Sequence, residues 1–242
     1  MTSRAPRVGT GMKVEIWSDV VCPWCYIGKR RFEAALERFP HADAVELEWK
    51  SFELDPSAGP SGEGAYAERL AAKYGQSVAQ AQGMLDGMTA TAAAEGLDFH
   101  FELARPGNTF DAHRVLHLAK QRGVQDAVKE RFDRATFSEG APVSDHETLV
   151  GLAAEAGLDA DETRGVLASD RYADAVRADE QQARTYGISG VPFFVVDGRY
   201  GVSGAQPAEL IASVLEKAWS EQSPLSVVAG GAPGCEGDAC AV

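Results

Sequence analysis

Two cysteines, Cys22 and Cys25, stand in the order Cys-Pro-Trp-Cys and form the pattern in this chain that points most directly to chemistry. They follow a short apolar run at 14–17 and open an amphipathic helix predicted over about 23–39. Cys22 then takes the N-cap position and Pro23 the first helical position, where a missing N–H costs nothing. Because free amides and the helix dipole stabilise an anion there, we expect the pKa of Cys22 to lie below that of a free thiol.

Cys25 lies one helical turn beyond Cys22, on the apolar face, so we expect it to be shielded and within reach of a disulfide bond to Cys22. In such a pair one thiolate attacks a disulfide and the second releases the product. Two other interpretations remain, namely two buried structural cysteines or half of a zinc site. A zinc site commonly has a second pair on turns, whereas this pair opens a helix beside a β-α-β pattern, which favours redox chemistry.

Pro192, in the sequence Gly190-Val191-Pro192-Phe193, directly precedes an apolar run. A proline cannot donate to a central strand ladder, so this one must lie at the start or the edge of a strand. A cis peptide bond before Pro192 would turn the chain sharply and expose the backbone of Val191 to an extended partner. A trans proline that starts a strand is the ordinary alternative.

Strand patterns at both ends of the chain place these two motifs in one α/β unit. Apolar and charged residues alternate over 45–50, as in a half-buried strand. The apolar run 193–196 is followed by Asp197-Gly198, a strong signal for a two-residue hairpin, and a helix is predicted from Pro207 to Trp219.

The middle of the chain, about 64–186, carries helical stripes of apolar residues and almost no strand pattern. Two capping boxes begin helices in this zone, with Ser77 and Ser144 as the capping residues. The stripes predict roughly six or seven helices inserted into the α/β unit.

The chain has 242 residues and a formal net charge of −13, from 23 basic and 36 acidic residues. An acidic chain binds nucleic acid phosphates and anionic membranes poorly, so neither is an expected partner. No apolar run approaches the ~20 residues that span a bilayer. The first 11 residues lack the apolar segment of a secretory signal. We therefore expect a cytoplasmic protein, in which paired cysteines are more often catalytic or metal-binding than structural.

The segments EIWSDVVCPWCYIGKRRFE and GVPFFVVDGRYGVSGAQ, with the helical zone between them, resemble the thioredoxin-fold proteins of the DsbA family. The chain is most similar to the cytoplasmic FrnE-like branch and distantly similar to the 2-hydroxychromene-2-carboxylate isomerases. The resemblance implies an α/β, thioredoxin-like fold with a large all-helical insertion. It assigns 13–62 and 187–220 to the thioredoxin-like domain and 63–186 to the inserted helical domain.

Carried over to this chain, the resemblance makes Cys22 the nucleophile, Cys25 the resolving thiol and Pro192 the cis-proline that faces them. Substrate would be bound at four positions: Pro192 itself, Pro23, Trp24 and the backbone of Val191. The periplasmic oxidants of the family carry Pro-His between the cysteines, whereas this chain carries Pro-Trp, so we expect a less oxidising couple.

Residues 108–114 of the helical zone also resemble a family segment, and we expect them to border the active-site cleft. His113 and His117 lie one helical turn apart, but no third ligand is evident. We therefore expect ordinary polar-face histidines and no metal site. The basic run Lys29-Arg30-Arg31 is expected to be a solvated helix face.

The C-terminal tail, 221–242, is rich in Gly, Ala, Ser and Pro and carries a second pair, Cys235 and Cys240. A Gly-rich chain from Trp219 to Cys235 has an r.m.s. span of roughly 20–24 Å, enough to reach a cleft on the same domain. FrnE-like proteins are similar in carrying an extra C-terminal pair, so our hypothesis is an auxiliary redox pair that exchanges electrons with Cys22 and Cys25. Two incidental thiols on a solvated tail, or zinc held by all four cysteines, are the alternatives.

Together these features predict a thiol-disulfide oxidoreductase that acts through the Cys-Pro-Trp-Cys site on protein or small-molecule disulfides and dithiols. The cysteines carry the electrons, so no bound cofactor is expected, and an external thiol system such as glutathione or thioredoxin resets them. The reduction potential, not the motif, sets the direction. Two alternatives stay open: a glutathione-dependent isomerase or transferase on a small aromatic or polyketide-like molecule, and a non-catalytic, chaperone-like module that uses the helical insertion.

Overall fold

The computed structural model describes residues 11–60 and 65–222. The strands in these ranges are β1 (Met12–Ser18), β2 (Val45–Ser51), β3 (Phe193–Val196) and β4 (Tyr200–Ser203). The helices are α1 (Pro23–Arg38), α2 (Tyr66–Tyr74), α3 (Val78–Ala94), α4 (Phe110–Gln121), α5 (Gln125–Phe137), α6 (His146–Glu155), α7 (Ala160–Leu167), α8 (Ala173–Thr185) and α9 (Ala208–Ser220). Within the described ranges, no helix combines the length and the apolar character needed to cross a bilayer.

The strands form one mixed sheet in the order β2-β1-β3-β4. β1 and β2 are parallel and are joined through α1, whereas β3 runs antiparallel to both β1 and β4. The register pairs Ile16 of β1 with Trp49 on one side and with Phe194 on the other. Because β1 lies between two strands, the end of β1 that leads to Cys22 is held from both sides.

Helices cover both faces of this sheet, because alternate strand residues point in opposite directions. Phe194 packs with Phe32 of α1 and Ile211 of α9 on one face. Its neighbour Val195 packs with Ala183 of α8 on the other face. The predicted α/β unit with an all-helical insertion is therefore confirmed.

The inserted helices α2 to α8 occupy the chain between β2 and β3 and share their cores with the sheet unit. Val20, just after β1, belongs to the apolar cluster formed by α4 to α7. Ile27 of α1 belongs to a second cluster, with side chains from α2, α3 and the end of α5. The insertion therefore holds the start of α1 through two separate contacts. The domain limits at 62/63 and 186/187 stay a prediction.

The basic run at 29–31 does not form a solvated face, so this expectation is wrong. Lys29 is 3% exposed, and its ammonium lies 3.2 Å from Asp126 and 3.3 Å from Glu130, both on α5. Arg30 forms an ion pair with the same Glu130. Acidic side chains of the insertion face this side of α1, so these cations are neutralised across the contact between α1 and α5 rather than left in water.

Three local predictions have different outcomes. The capping box at Ser77 is confirmed. Asp145, not Ser144, caps the next helix and accepts the Thr148 amide at 2.8 Å, because α6 begins one residue later than predicted. The β3–β4 hairpin is confirmed, but its register leaves three residues, 197–199, between the paired positions rather than two.

Gly28 brings α1 against the loop that precedes β3. A Cβ atom built on Gly28 would lie 2.9 Å from Cγ of Pro192 and 3.4 Å from Cζ of Phe194. The shorter distance is below van der Waals contact, and a pyrrolidine ring cannot swing aside as a flexible side chain does. The missing side chain at Gly28 therefore sets how closely Pro192 approaches the helix that begins after Cys22.

We expect Gly28→Ala to destabilise the fold by about 1–3 kcal/mol, because the added methyl group overpacks against Pro192. This loss exceeds the ~0.5–1 kcal/mol by which alanine improves a helix interior. Gly87→Ala in α3 is the matched control, since nothing lies within 4 Å of its added Cβ, and it should stabilise the protein by about 0.5–1 kcal/mol. Urea unfolding measures both free energies. A Gly28→Ala protein as stable as the unaltered chain would contradict the close packing.

Candidate active site

The N-terminus of α1 holds Cys22 where the sequence predicts it. Cys22 is the N-cap, with φ −100° and ψ 107°, and Pro23 is the first helical residue. The Cys25 amide donates to the Cys22 carbonyl at 3.0 Å, and the Cys22 amide donates to the Asp19 carbonyl at 3.2 Å. These two bonds connect the end of β1 to the helix and fix the backbone from which the Cys22 side chain projects.

Both thiols are free and buried, with exposures of 3% for Cys22 and 0% for Cys25, and they lie close enough to share a hydrogen bond. The shielding predicted for Cys25 is confirmed. The peptide bond between Val191 and Pro192 is cis, as the family resemblance implies. The Cys22 thiol donates to the Val191 carbonyl, with Sγ and oxygen 3.5 Å apart. The two sulfurs and the 191–192 loop therefore meet at one point.

The surroundings of Cys22 favour its protonated form. The hydrogen bond shared with Cys25 is the largest cause that raises the pKa of Cys22 well above its ordinary value, and burial adds to it. Negative charge on Cys25 and on Asp19 acts in the same direction, whereas the Cys25 amide lowers the pKa. The expected pKa below that of a free thiol is therefore wrong, because burial beside two acidic groups outweighs the amide that the helix terminus supplies.

A cleft of about 580 Å³ opens beside Cys22. Three of the predicted substrate-binding positions lie on its wall: Pro23, Trp24 and Val191. Trp24 is 40% exposed, so its indole is open to a bound molecule. The fourth, Pro192, is buried, as is Cys25.

The insertion forms much of the remaining wall of this cleft. Its exposed apolar side chains include Tyr74 and Met84, at 55% and 41% exposure, and Leu54 adds a third from the segment after β2. Two cations of α2, Arg69 and Lys73, line the same cleft. The arrangement suits a partner that is largely apolar and carries polar or acidic groups.

Asp19 and His113 meet in the interior next to the cleft. Asp19 is completely buried and lines the cleft, and its Oδ2 accepts the Leu54 amide at 2.8 Å. His113, which is 1% exposed, places its Nε2 3.4 Å from Asp19 Oδ1. Thr109, one turn before His113, lines the cleft as well, so the segment 108–114 borders it as predicted.

The expectation of polar-face histidines on α4 is wrong. His113 is buried as described, and His117 Nε2 lies 3.2 Å from both Ser51 Oγ and Asp179 Oδ2. The cause is the position of α4, which packs between β2 and the neighbouring inserted helices. Across 11–60 and 65–222, no group of three or more metal-ligating side chains is arranged to hold an ion.

The DSBA-like thioredoxin domain family matches residues 13–216 of this chain. The chain belongs to this family. A probable DsbA oxidoreductase from Streptomyces coelicolor is 52% identical, and its structure has a TM-score of 0.86 over 96% of this chain and 99% of that chain. The thioredoxin-like fold and the DsbA-family resemblance are therefore confirmed, and the chain is a member of the DsbA-like oxidoreductases.

Two other solved structures share the fold of this DsbA-like protein at low identity. The cytosolic disulfide reductase DsbM from Pseudomonas aeruginosa is 18% identical, with a TM-score of 0.60 over 85% of this chain and 98% of that chain. A 2-hydroxychromene-2-carboxylate isomerase is 15% identical, with a TM-score of 0.63 over 85% of this chain and 95% of that chain. At this identity the similarity shows the fold alone. The predicted resemblance to the isomerases is therefore confirmed for the fold only.

Sequence reasoning missed Asp19 and the residues that α2 brings to the cleft. Tyr66, Arg69 and Lys73 lie three and four positions apart, a spacing that places them on one helical face. Burial, Cys22 and Asp19 raise the pKa of Tyr66 to about 12, against the effect of Arg69. The signal for Asp19 was its position three residues before the cysteine pair.

Cys235 and Cys240 lie outside the described residues, so their role stays a prediction.

We expect the alkylation of Cys22 by iodoacetamide to have an apparent pKa above ~8.5, the value of a free thiol, because only the thiolate reacts. The matched variant is Cys25→Ser, which removes the sulfur that raises the pKa most and should therefore lower the midpoint. Mass spectrometry across the pH range measures both rates and separates Cys22 from the more buried Cys25. A midpoint near pH ~7 in the unaltered protein would contradict this account of the site.

Proposed function

We propose that this DsbA-like oxidoreductase exchanges thiols and disulfides through Cys22 and Cys25, with protein or small-molecule disulfides and dithiols as substrates. One observation carries the proposal: Cys22 lies on the wall of a cleft, beside a second thiol and against the Val191 carbonyl of a cis-proline loop. A thiol in that position can reach a bound disulfide from the cleft and can itself be reached by Cys25.

The reducing direction takes two displacements at sulfur. Cys22 loses its proton, and its thiolate attacks one sulfur of the substrate disulfide. The substrate S–S bond breaks, the departing sulfur takes up a proton, and a mixed disulfide with Cys22 remains. Cys25 then loses its proton and attacks Cys22 Sγ, which releases the second substrate thiol and leaves a Cys22–Cys25 disulfide. The reverse order oxidises a dithiol, with two electrons transferred in either case.

The 191–192 loop and the cleft would hold the substrate around its sulfur. An extended segment can pair with the backbone at Val191, as in strand addition. Trp24, Tyr74 and Met84 offer apolar contacts to the groups that flank the disulfide. These contacts depend on size and apolar character rather than on one sequence, so the site would accept a range of disulfides.

Reduction is the direction that the charges favour. The residues between the cysteines are Pro-Trp and supply no cation, and Asp19 is a buried carboxylate. A couple whose thiolate is not stabilised is a weaker oxidant, because its reduced form is less stable relative to the disulfide.

We place the protein in the cytoplasm, in the FrnE-like branch. We propose that it has no bound cofactor and that a glutathione or thioredoxin system resets its cysteines. The cytosolic DsbM reductase shares this fold, which is consistent with that location.

We expect the protein to reduce insulin with dithiothreitol as electron donor and to lose that activity in Cys22→Ser, because the attacking sulfur is gone. Cys25→Ser should form the mixed disulfide but release it slowly, so substrates accumulate as covalent adducts on non-reducing gels. Trp24→Ala is a milder variant that keeps both thiols and should mainly raise KM. Insulin reduction that persists in Cys22→Ser would contradict the proposal. Holding of unfolded clients that survives loss of both cysteines would support a chaperone-like module instead.

A second candidate is a glutathione-dependent isomerase or transferase for a small aromatic anion. Arg69 and Lys73 beside the apolar wall of the cleft favour it, since such a pocket fits an aromatic ring with an acidic group. Relatives of that type usually lack the cysteine pair and use a hydroxyl near the first position, whereas this chain has both thiols. Cys22→Ser separates the two candidates, because an isomerase would tolerate the hydroxyl and a disulfide reductase would not.

We also propose that Cys235 and Cys240 form an auxiliary pair that exchanges electrons with Cys22 and Cys25. Tethering would raise the local dithiol concentration to about the millimolar range. We expect the double change Cys235→Ser and Cys240→Ser to leave the first reduction of substrate unchanged and to slow the resetting of the active-site pair, measured by stopped-flow tryptophan fluorescence. If the double variant and the unaltered protein have equal rates at every step, this role for the tail is contradicted.

A further inference from the structure

The cleft beside Cys22 carries positive charge that no described carboxylate pairs with. Most Lys and Arg side chains in 11–60 and 65–222 form an ion pair with a carboxylate. The described cations that do not are Arg69, Lys73, Arg105, Arg184 and Lys217. Arg69 and Lys73 line the cleft, and Arg105 directly precedes Pro106 on its wall. The chain has a formal net charge of −13, so carboxylates are in excess, and cations left without one at a single cleft need an explanation.

Arg69 and Lys73 lie on the same side of the cleft. They are four positions apart on α2, a spacing that places them on one helical face. Arg69 Nη1 donates to the Pro106 carbonyl at 3.1 Å, which holds the guanidinium against the cleft wall. Its other N–H groups make no hydrogen bond to a described residue, and Lys73 is exposed. Both cations are therefore available to a bound molecule.

The field of these two cations reaches into the cleft. Asp55 lies on the cleft wall, and its Oδ1 accepts hydrogen bonds from the Ser57 hydroxyl at 2.6 Å and the Ser57 amide at 3.0 Å. The hydrogen bond to Ser57 is the largest cause that lowers the pKa of Asp55, and the charges of Lys73 and Arg69 lower it further. Asp55 is held by its own turn and forms no ion pair with either cation. The cations thus act on a carboxylate in the cleft without being neutralised by it.

The other features of the cleft suit an extended polypeptide. The Val191 backbone beside Cys22 can pair with an extended segment, and the exposed side chains of Tyr74 and Met84 offer apolar contacts. We propose that Arg69 and Lys73 select polypeptide segments in which acidic residues lie beside the reacting cysteines. This inference rests on the proposed thiol–disulfide function and names its substrate class. The sulfur chemistry is unchanged, so the two cations are specificity-determining residues.

Exposed charges of this kind act mainly on the encounter between the partners. Complementary charge raises the association rate and lowers KM, whereas it does not change the displacement at sulfur once the segment is bound. One exposed ion pair is worth roughly 1.5–5-fold in affinity, so two cations should give a preference of about fivefold or more. Salt screens such interactions, so the preference should fall as the ionic strength rises.

Two cyclic hexapeptide disulfides test the selection. One has the sequence of 235–240, in which two cysteines enclose Glu236 and Asp238, and the other carries Gln and Asn at those two positions. The reduced protein should reduce the acidic peptide with a half-saturating concentration about fivefold lower at low salt. The maximal rates should agree within twofold, after each peptide is normalised to its own rate with dithiothreitol. Single-turnover reactions, quenched with acid and analysed by mass spectrometry, give both quantities.

Variants of the two cations separate charge from structure. Arg69→Gln and Lys73→Gln should each weaken the preference, and the double variant should bind both peptides equally. The double change Arg69→Glu and Lys73→Glu should reverse the preference, in favour of a third peptide with lysine at both enclosed positions. Alkylation of Cys22 by neutral iodoacetamide should stay within twofold in every variant, whereas structural damage would change it. If the Arg69 variants do not fold, Lys73→Gln and Lys73→Glu at this exposed position carry the test.

Lys217→Gln is the matched control. Lys217 is also an exposed cation without a described carboxylate partner, but it lies on α9 over the Tyr200 ring, 5.0 Å from its centroid, and does not line the cleft. This change should leave the ratio between the acidic and the amide peptide within twofold of its value in the unaltered protein. An equal loss of preference in Lys217→Gln and Lys73→Gln would overturn the assignment to the cleft.

The outcomes separate this inference from the proposed function. An unaltered protein that reduces neither insulin nor any peptide would overturn the function itself. Normal insulin reduction with equal use of the acidic and amide peptides, or a preference that persists in the double Gln variant, would overturn only the selection by charge. Glutathione disulfide is a small acidic probe without a polypeptide segment. If it is used better than the acidic peptide, with the same dependence on Arg69 and Lys73, the assignment to a polypeptide is wrong.

Discussion

The contact between the first two turns of α1 and the loop before β3 is the constraint on which the rest of the site depends. Gly28 has no side chain, so Pro192 lies directly against the helix. That approach places the Val191 carbonyl 3.5 Å from Cys22 Sγ. Two segments far apart in the chain thereby form one edge of the cleft, and the inserted helices, packed against Val20 and Ile27, supply much of the remaining wall.

The charges around that contact determine how the cysteines behave. A helix N-terminus normally stabilises a thiolate, yet here the hydrogen bond to the second sulfur, burial and the Asp19 carboxylate together raise the pKa of Cys22. The basic side chains Lys29 and Arg30 cannot help, because acidic residues of α5 neutralise them. The insertion therefore contributes charged groups on two sides: acids of α5 neutralise Lys29 and Arg30, and His113 of α4 lies 3.4 Å from Asp19, a buried acid on the cleft wall.

Most of the fold and the position of the cysteine pair could be predicted from local patterns. Strand alternation, the Ser77 capping box and Pro23 at the first turn are short-range signals, and each is confirmed. The errors concern residues whose surroundings come from distant elements. Lys29 and His113 look solvated on their own helices, and only the packing of α4 and α5 against the first part of the chain buries them. For the same reason the pKa of Cys22 was predicted in the wrong direction.

The reduction potential of the Cys22–Cys25 couple tests most directly whether this site leaves the Cys22 thiolate unstabilised. One pKa unit corresponds to ~1.4 kcal/mol, or about 30 mV for a two-electron couple. Equilibration with glutathione buffers should therefore give a potential at or below about −200 mV, in the range of glutaredoxins and thioredoxin. A value near −120 mV, typical of a strong oxidant with a stabilised thiolate, would contradict the account.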